Sequence, residues 1–316
     1  MVKRNSKYYY ILVFLIILLI TVGYVGFKAT FKSSGATIAN TVINNQYFKK
    51  KVDPVIPPVK SNNFTQPNIL AKSAVLVRQS DKYPLYEKNQ DESISIASIT
   101  KVMTVIVSLE NYKLSDVVVV KKENTEVIPS KIFLKEGEKI TVDSLIDGAL
   151  IASGNDAANA LATAKWTREE FIELMNEKAE ELGMTKTKFF DPAGLDDNGK
   201  SSARDIAIMF SYGLNFEKFK QSISTEAKDI LSTDEKQVHP LKNSNRLLTG
   251  EIMFDGEIIG GKTGVTDLAG HTLVCAAKRG ETTVVGVILN TYNNTKSASA
   301  EEMKKLLDWS YISYLI

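Results

Sequence analysis

Cysteine and histidine are almost absent from this 316-residue chain. A single cysteine, Cys275, leaves no partner for an internal disulfide and too few thiolates for a cysteine-built zinc site. The two histidines, His239 and His271, do not stand at H-E-x-x-H spacing, which excludes a metalloprotease of that kind. Net charge is small as well. The 39 Lys+Arg oppose 37 Asp+Glu, a balance unlike that of a dedicated nucleic-acid binder. Acidic residues are missing from residues 1–52, the first being Asp53. The rest is ordinary globular composition, 44% hydrophobic and 24% charged, which excludes wholesale disorder and collagen-like structure.

Within the acid-free stretch, Lys3, Arg4 and Lys7 precede residues 8–27, which carry no charge. That length matches the roughly 20 residues a helix needs to cross the hydrocarbon of a bilayer. Tyr8, Tyr9, Tyr10 and Tyr24 lie near its ends, where aromatic rings favour the interface. The run is longer than the apolar region of a signal peptide, and it ends in Phe27-Lys28 rather than in a small-x-small cleavage site. The expectation is an uncleaved single-pass anchor at 8–27 with residues 1–7 cytoplasmic, in preference to a cleaved signal. Both readings put the remainder outside the cytoplasm. Residues 28–67 hold Pro54, Pro57, Pro58, Pro67 and a Lys49-Lys50-Lys51 run with no apolar period, and read as an extracytoplasmic linker. Residues 68–316 suffice for one large domain.

In that domain residues 73–78 read as a strand, 80–82 as a turn and 85–87 as a returning strand. Residues 271–277 and 282–289 read as a hairpin around Lys278-Arg279-Gly280. The chain between is mainly helical. Thr167-Arg168-Glu169-Glu170 is a capping box opening a helix whose Phe171, Leu174, Met175, Ala179 and Leu182 share one face, with Gly183 as its stop. A last helix is expected over 300–311. Strands first, helices in the middle and strands last predict an α+β (α/β) arrangement, a sheet completed by both chain ends around a helical insertion.

Three short motifs could carry chemistry. Ser98-Ile99-Thr100-Lys101 is the chain's one S-x-x-K, and residues three apart on a helix share a face, so Lys101 can reach the Ser98 hydroxyl. A lysine whose pKa is depressed by burial or a nearby cation can take the serine proton. Ser153-Gly154-Asn155 offers a hydroxyl for proton relay and an amide for a substrate carbonyl, though Ser or Asn there could equally cap the Ala-rich helix that follows. Gly261-Lys262-Thr263-Gly264 offers an ammonium and a hydroxyl for a carboxylate beside glycines that permit close approach, or else forms an ordinary turn into the hairpin. Each motif alone is weak, and Ser61-Asn62-Asn63 repeats the S-x-N spacing inside the linker. Their conjunction in this order is the signature of penicillin-binding proteins and class A β-lactamases.

On these motifs, and on Asp191-Pro192-Ala193-Gly194-Leu195, Asn243-Ser244-Asn245-Arg246 and Ala269-Gly270, the stretch from about residue 68 resembles the low-molecular-weight penicillin-binding proteins, the serine D-alanyl-D-alanine carboxypeptidases of peptidase family S11. The resemblance implies a β-lactamase/DD-peptidase-like fold, an antiparallel sheet flanked by helices with a mainly helical insertion. It implies that Ser98 is the nucleophile, Lys101 its base and Ser153 the proton relay. It places Asn155, Lys262, Thr263, Gly264, Val265 and Thr266 against substrate, with the Ser98 and Val265 N–H groups as oxyanion hole. The implied partner is the D-Ala-D-Ala end of a peptidoglycan stem peptide, with β-lactams as inhibitors and no metal or organic cofactor.

The family can carry a carboxylate-binding arginine near the start of the last helix. Here Lys296 is the only cation in residues 293–299, and lysine lacks arginine's planar two-point contact. The E-x-x-x-N of class A β-lactamases is absent, since Ile172 precedes Asn176 by four, which disfavours a β-lactamase. DD-endopeptidase or transpeptidase action on cross-links stays open. A catalytically silent wall-binding module is disfavoured, because every polar group the chemistry needs is present. His271 reads as a strand residue and Cys275 as an inert buried thiol.

Overall fold

The computed structural model describes residues 57–61, 65–291 and 295–315. The run at 8–27 and most of the 28–67 stretch lie outside them. No helix among the described residues is long and apolar enough to cross a membrane.

The chain enters through β1 (Val59–Lys60), β2 (Ala71–Arg78) and β3 (Pro84–Lys88). A 3₁₀ turn at Ala97–Ile99 runs into α1 (Thr100–Asn111). The helical middle follows as α2 (Val142–Leu150), α3 (Asn155–Ala162), α4 (Arg168–Glu181), α5 (Ala203–Gly213) and α6 (Glu217–Ser224), with short two-stranded ribbons between. The chain then returns through β4 (Glu257–Thr266), β5 (Gly270–Arg279) and β6 (Thr282–Thr291), and ends in α7 (Ala298–Ser313) and β7 (Tyr314–Leu315).

Five strands form one antiparallel sheet in the order β4-β5-β6-β2-β3. The first and last thirds of the chain therefore complete one sheet, and β4 is left at its edge. Successive strand residues face opposite sides, and both sides are covered. Val75, Val77, Val274, Ala276, Val285 and Val287 join the core of the helical insertion. Ala74, Leu76, Leu273, Cys275, Val284 and Ile288 meet Met303, Leu306 and Leu307 of α7. Burial on both faces explains why these strands read as continuous apolar runs rather than as alternation.

The capping box is formed, with Thr167 Oγ1 accepting from the Glu170 N–H and the Glu170 carboxylate from the Thr167 N–H. Gly183, at φ 74°, ends that helix. Three expectations need adjustment. Residues 262–264 are no turn but the middle of β4, because β5 pairs with them in register, Lys262 opposite Val274 and Gly264 opposite Thr272. Neither Ser153 nor Asn155 caps α3. Gly154 holds the N-cap position, and Asn155 is the first helical residue with its side chain turned elsewhere. Val59 and Lys60, inside the stretch read as linker, pair with Leu315 and Tyr314, and the Ser61 N–H donates to the Ser313 carbonyl at 2.8 Å. The end of the chain packs on the core, with Trp309 edge-on to Tyr86 and the Tyr314 hydroxyl donating to the Leu85 carbonyl.

Candidate active site

Three elements meet at the free edge of the sheet: the turn that starts α1, the loop between α2 and α3, and β4. Between them lies a cleft of about 650 Å³ lined by Ser98, Ser153, Asn155 and residues 263–266. Lys101 and Lys262 stand behind this wall, 0% and 1% exposed. All three motifs, far apart in the chain, thus converge on one cleft.

Each motif is held by its local backbone. Ser98 lies in the 3₁₀ turn one residue after Ala97, which takes a left-handed φ of 49° and so turns the chain sharply into the helix. Ser153, at φ 58°, is likewise left-handed, which lifts its hydroxyl out of the run from α2 to α3. β4 approaches the nucleophile because residue 264 is glycine. A Cβ there would stand 3.0 Å from the Ser98 nitrogen and 2.7 Å from the Thr272 hydroxyl.

The two lysines divide the hydroxyls. Lys101 Nζ lies 2.8 Å from Ser98 Oγ, 2.7 Å from Asn155 Oδ1 and 2.7 Å from the Ala193 carbonyl oxygen. Asn155 Nδ2 donates to the Ile128 carbonyl at 3.0 Å, which fixes the amide oxygen toward Lys101. Lys262 Nζ donates to Ser153 Oγ at 2.9 Å and to the Thr263 carbonyl at 2.8 Å. Burial is the chief cause that holds Lys101 well below the ordinary lysine range. The Lys262 charge adds to it, while Asp191 and Asp156 oppose it. Burial alone brings Lys262 down to about 7. Among the described residues neither lysine has a carboxylate within bonding distance, so no close ion pair offsets the cost of charging either amine.

Not every predicted group faces the cleft as a free donor. The Thr266 hydroxyl donates to Asp197 Oδ1 at 2.8 Å and accepts from the Ala269 N–H, so it braces the β4–β5 turn. Thr263 Oγ1 shares a 2.5 Å hydrogen bond with Ser244 Oγ. His271 is a β5 residue, opposite Val265, yet it also lines the cleft. Cys275 is buried, its thiol pushed up to about 12.

Sequence reasoning assigned no role to Arg246. It lines the cleft beside Ser244, Lys296 and Ser299. Its Nε donates to the Lys296 carbonyl at 3.2 Å and its Nη1 pairs with Glu251. A signal was present in Asn243-Ser244-Asn245, where each asparagine oxygen accepts a backbone N–H two residues on and folds the segment into a turn. Ser130, also at the cleft, was missed. Its carbonyl accepts the Asn155 N–H.

The family model described as D-alanyl-D-alanine carboxypeptidase, peptidase S11, matches residues 60–293. The chain is 36% identical over 251 residues to D-alanyl-D-alanine carboxypeptidase DacF of Bacillus subtilis (strain 168), an overlap of 77% of this chain and 63% of that protein. The chain therefore spans under two thirds of that relative's length. It is 35% identical over 240 residues to a D-alanyl-D-alanine endopeptidase of Haemophilus influenzae, covering 75% of this chain and 80% of that one. Among solved structures, the Streptomyces K15 DD-transpeptidase is similar with a TM-score of 0.72 at 29% identity, over 78% of this chain and 99% of that one.

Proposed function

This chain belongs to the D-alanyl-D-alanine carboxypeptidase family, peptidase S11, and from that premise we propose that it is a serine DD-carboxypeptidase that removes the terminal D-alanine of peptidoglycan stem peptides. The observation that carries the reading is Lys101 Nζ, buried and held well below the ordinary lysine range, 2.8 Å from Ser98 Oγ at the floor of an open cleft. Ser98 Oγ attacks the carbonyl between the last two D-alanines while its proton passes to Lys101. The oxyanion sits between the backbone N–H groups of Ser98 and Val265, and removing one such donor typically costs about a hundredfold or more in rate. The edge position of β4 supports this placement, because an edge strand keeps backbone groups free to pair with an extended peptide.

Ser153, linked to Lys262, delivers a proton to the departing amine nitrogen, the C–N bond breaks, and D-alanine leaves. Water then hydrolyses the Ser98 ester. The leaving carboxylate points along β4 toward the Thr263–Ser244 hydroxyl pair, where Arg246 and Lys296 supply positive charge. Arg246, its Nε and Nη1 held by the Lys296 carbonyl and Glu251, offers Nη2 in place of the arginine that residues 293–299 lack. Intact mass of the full-length chain mixed with excess penicillin tests the reading. A lasting adduct on Ser98, together with D-alanine release from a pentapeptide, is expected; no adduct and no release in any buffer sinks it.

DD-endopeptidase action on cross-links is the second reading, favoured by the likeness to the Haemophilus endopeptidase. It predicts release of monomers from cross-linked muropeptides. We further propose that residues 8–27 anchor the chain in the cell membrane with the cleft outside. The uncharged run behind Lys3, Arg4 and Lys7 supports this, and recovery of the chain in the soluble fraction after alkaline extraction of membranes would count against it.

A further inference from the structure

Lys101 is surrounded in a way that decides which part of its amine faces the nucleophile. Two of its three oxygen neighbours, Asn155 Oδ1 and the Ala193 carbonyl, are acceptors only. They take two N–H bonds. A neutral amine has no third, so its lone pair is what remains for the Ser98 hydroxyl proton. The Ala193 carbonyl is therefore as much a part of the aiming device as the S-x-N asparagine.

That carbonyl belongs to a loop wound around one side chain. Asp191, 3% exposed, accepts from the Ala193 and Gly194 N–H groups through Oδ1 at 2.6 Å each, and from the Asp196 N–H through Oδ2 at 2.8 Å. The Pro192 carbonyl is held from α1 by the Thr104 hydroxyl at 2.6 Å. Gly194, at φ 77°, lies so close to the serine turn that a Cβ would stand 2.0 Å from the Ala97 carbonyl oxygen. The loop is thus clamped on the backbone that carries Ser98.

We propose that Asp191 is the positioning residue for the general base. Its carboxylate folds residues 191–196 so that the Ala193 carbonyl occupies one N–H of Lys101 and leaves the lone pair aimed at Ser98. The inference rests on the reading of Lys101 as the base. Asp191 also acts at a distance, since its negative charge favours the protonated lysine and partly offsets burial.

The test is the rate of Ser98 acylation by penicillin, read by intact mass of the full-length chain from acid to neutral pH. D191N keeps an oxygen for the Ala193 and Gly194 N–H groups but loses the charge and the Asp196 bond. Acylation at neutral pH is expected to fall roughly ten- to a hundredfold. The acid limb of the profile is expected to move to lower pH, because the lysine sheds its proton more easily. T104V loosens the same loop without a charge change, so its rate falls with the limb in place. An unmoved limb in D191N, an unchanged rate, or an equal limb shift in T104V overturns the proposal. Should D191N not fold, D191E carries the test, with a slower rate at an unmoved limb expected and a moved limb overturning it. A wild-type chain never acylated at any pH removes the reading of Lys101 and this inference together. A normal wild type beside an indifferent D191N removes the inference alone.

Discussion

The site's three motifs were legible because each is contiguous, but spacing brings side chains together only in the first; Ser153 meets Lys262 and Asn155 meets Lys101 only in the fold. Ser98 and Lys101 share one turn at the start of α1, and Lys262 and Thr263 are neighbours. Arg246 was not legible as a ligand group. It belongs to an asparagine-built turn, and it reaches the cleft only because the start of α7 folds back beside it. With Nε and Nη1 engaged by the Lys296 carbonyl and Glu251, the guanidinium still turns Nη2 to a carboxylate, and neither Lys296 nor a lysine substituted at 246 reproduces a fork held this way. Arg246→Ala is accordingly expected to raise KM for a pentapeptide about tenfold or more with a smaller change in kcat, the pattern of lost ground-state binding. Steady-state kinetics against a substrate amidated at its terminus provides the control, since that substrate should be indifferent to the substitution. A KM that stays put for the free carboxylate would place the carboxylate elsewhere.

Among the elements, β5 and β6 were legible from their apolar runs and the charged, glycine-containing turn between them. β4 was not, because Gly260, Gly261, Lys262 and Gly264 are poor strand formers. Pairing with β5 makes it a strand, and tertiary context overrides propensity. β1 was invisible for a similar reason. Two residues among prolines carry no period, and only the returning β7 gives them a partner. The glycine content of β4 also has a use. Gly264 lets the strand lie against the Ser98 backbone, with backbone atoms of Ile96 and Ser98 both 3.0 Å from where a Cβ would be. Backbone at that distance cannot rotate away as a side chain tip can. Gly264→Ala should therefore push β4 off the serine turn and slow penicillin acylation by roughly tenfold or more, since misplacements of about an ångström cost that much and more. Its thermal unfolding should change by only a few degrees, because the backbone pairing with β5 remains and the Thr272 side chain can turn from the new methyl. An acylation rate equal to the wild type's would show that the strand has slack at this point.

At the scale of the whole molecule, the sheet is closed on both faces, and the fold leaves two lysines buried where it also needs them for chemistry. That placement opposes stability, and its pH dependence has a definite sign. Lys262 ordinarily titrates near 10.5 and is brought to about 7 in the fold. Between those values the unfolded chain binds a proton that the folded chain does not, so this group's contribution to stability rises with pH. The penalty is full below about 7 and fades toward 10.5. At about 1.4 kcal/mol per pKa unit it amounts to a few kcal/mol, and Lys101, depressed in the same direction, adds to it. Replacing Lys262 with methionine fills a similar volume without a charge. The variant loses the bonds to Ser153 and the Thr263 carbonyl, which offsets part of the gain. Lys262→Met should therefore melt above the wild type at pH 7, at roughly 2–4 °C for each kcal/mol recovered in a domain of this size, while its acylation by penicillin collapses. The gap in melting temperature should narrow, and then reverse, as pH is raised toward 10, because the wild-type amine becomes neutral and keeps hydrogen bonds the methionine lacks. Differential scanning calorimetry of both chains across this range reads the trend directly. A gap that is constant with pH would mean that Lys262 is no more reluctant to hold its proton in the fold than in the open chain.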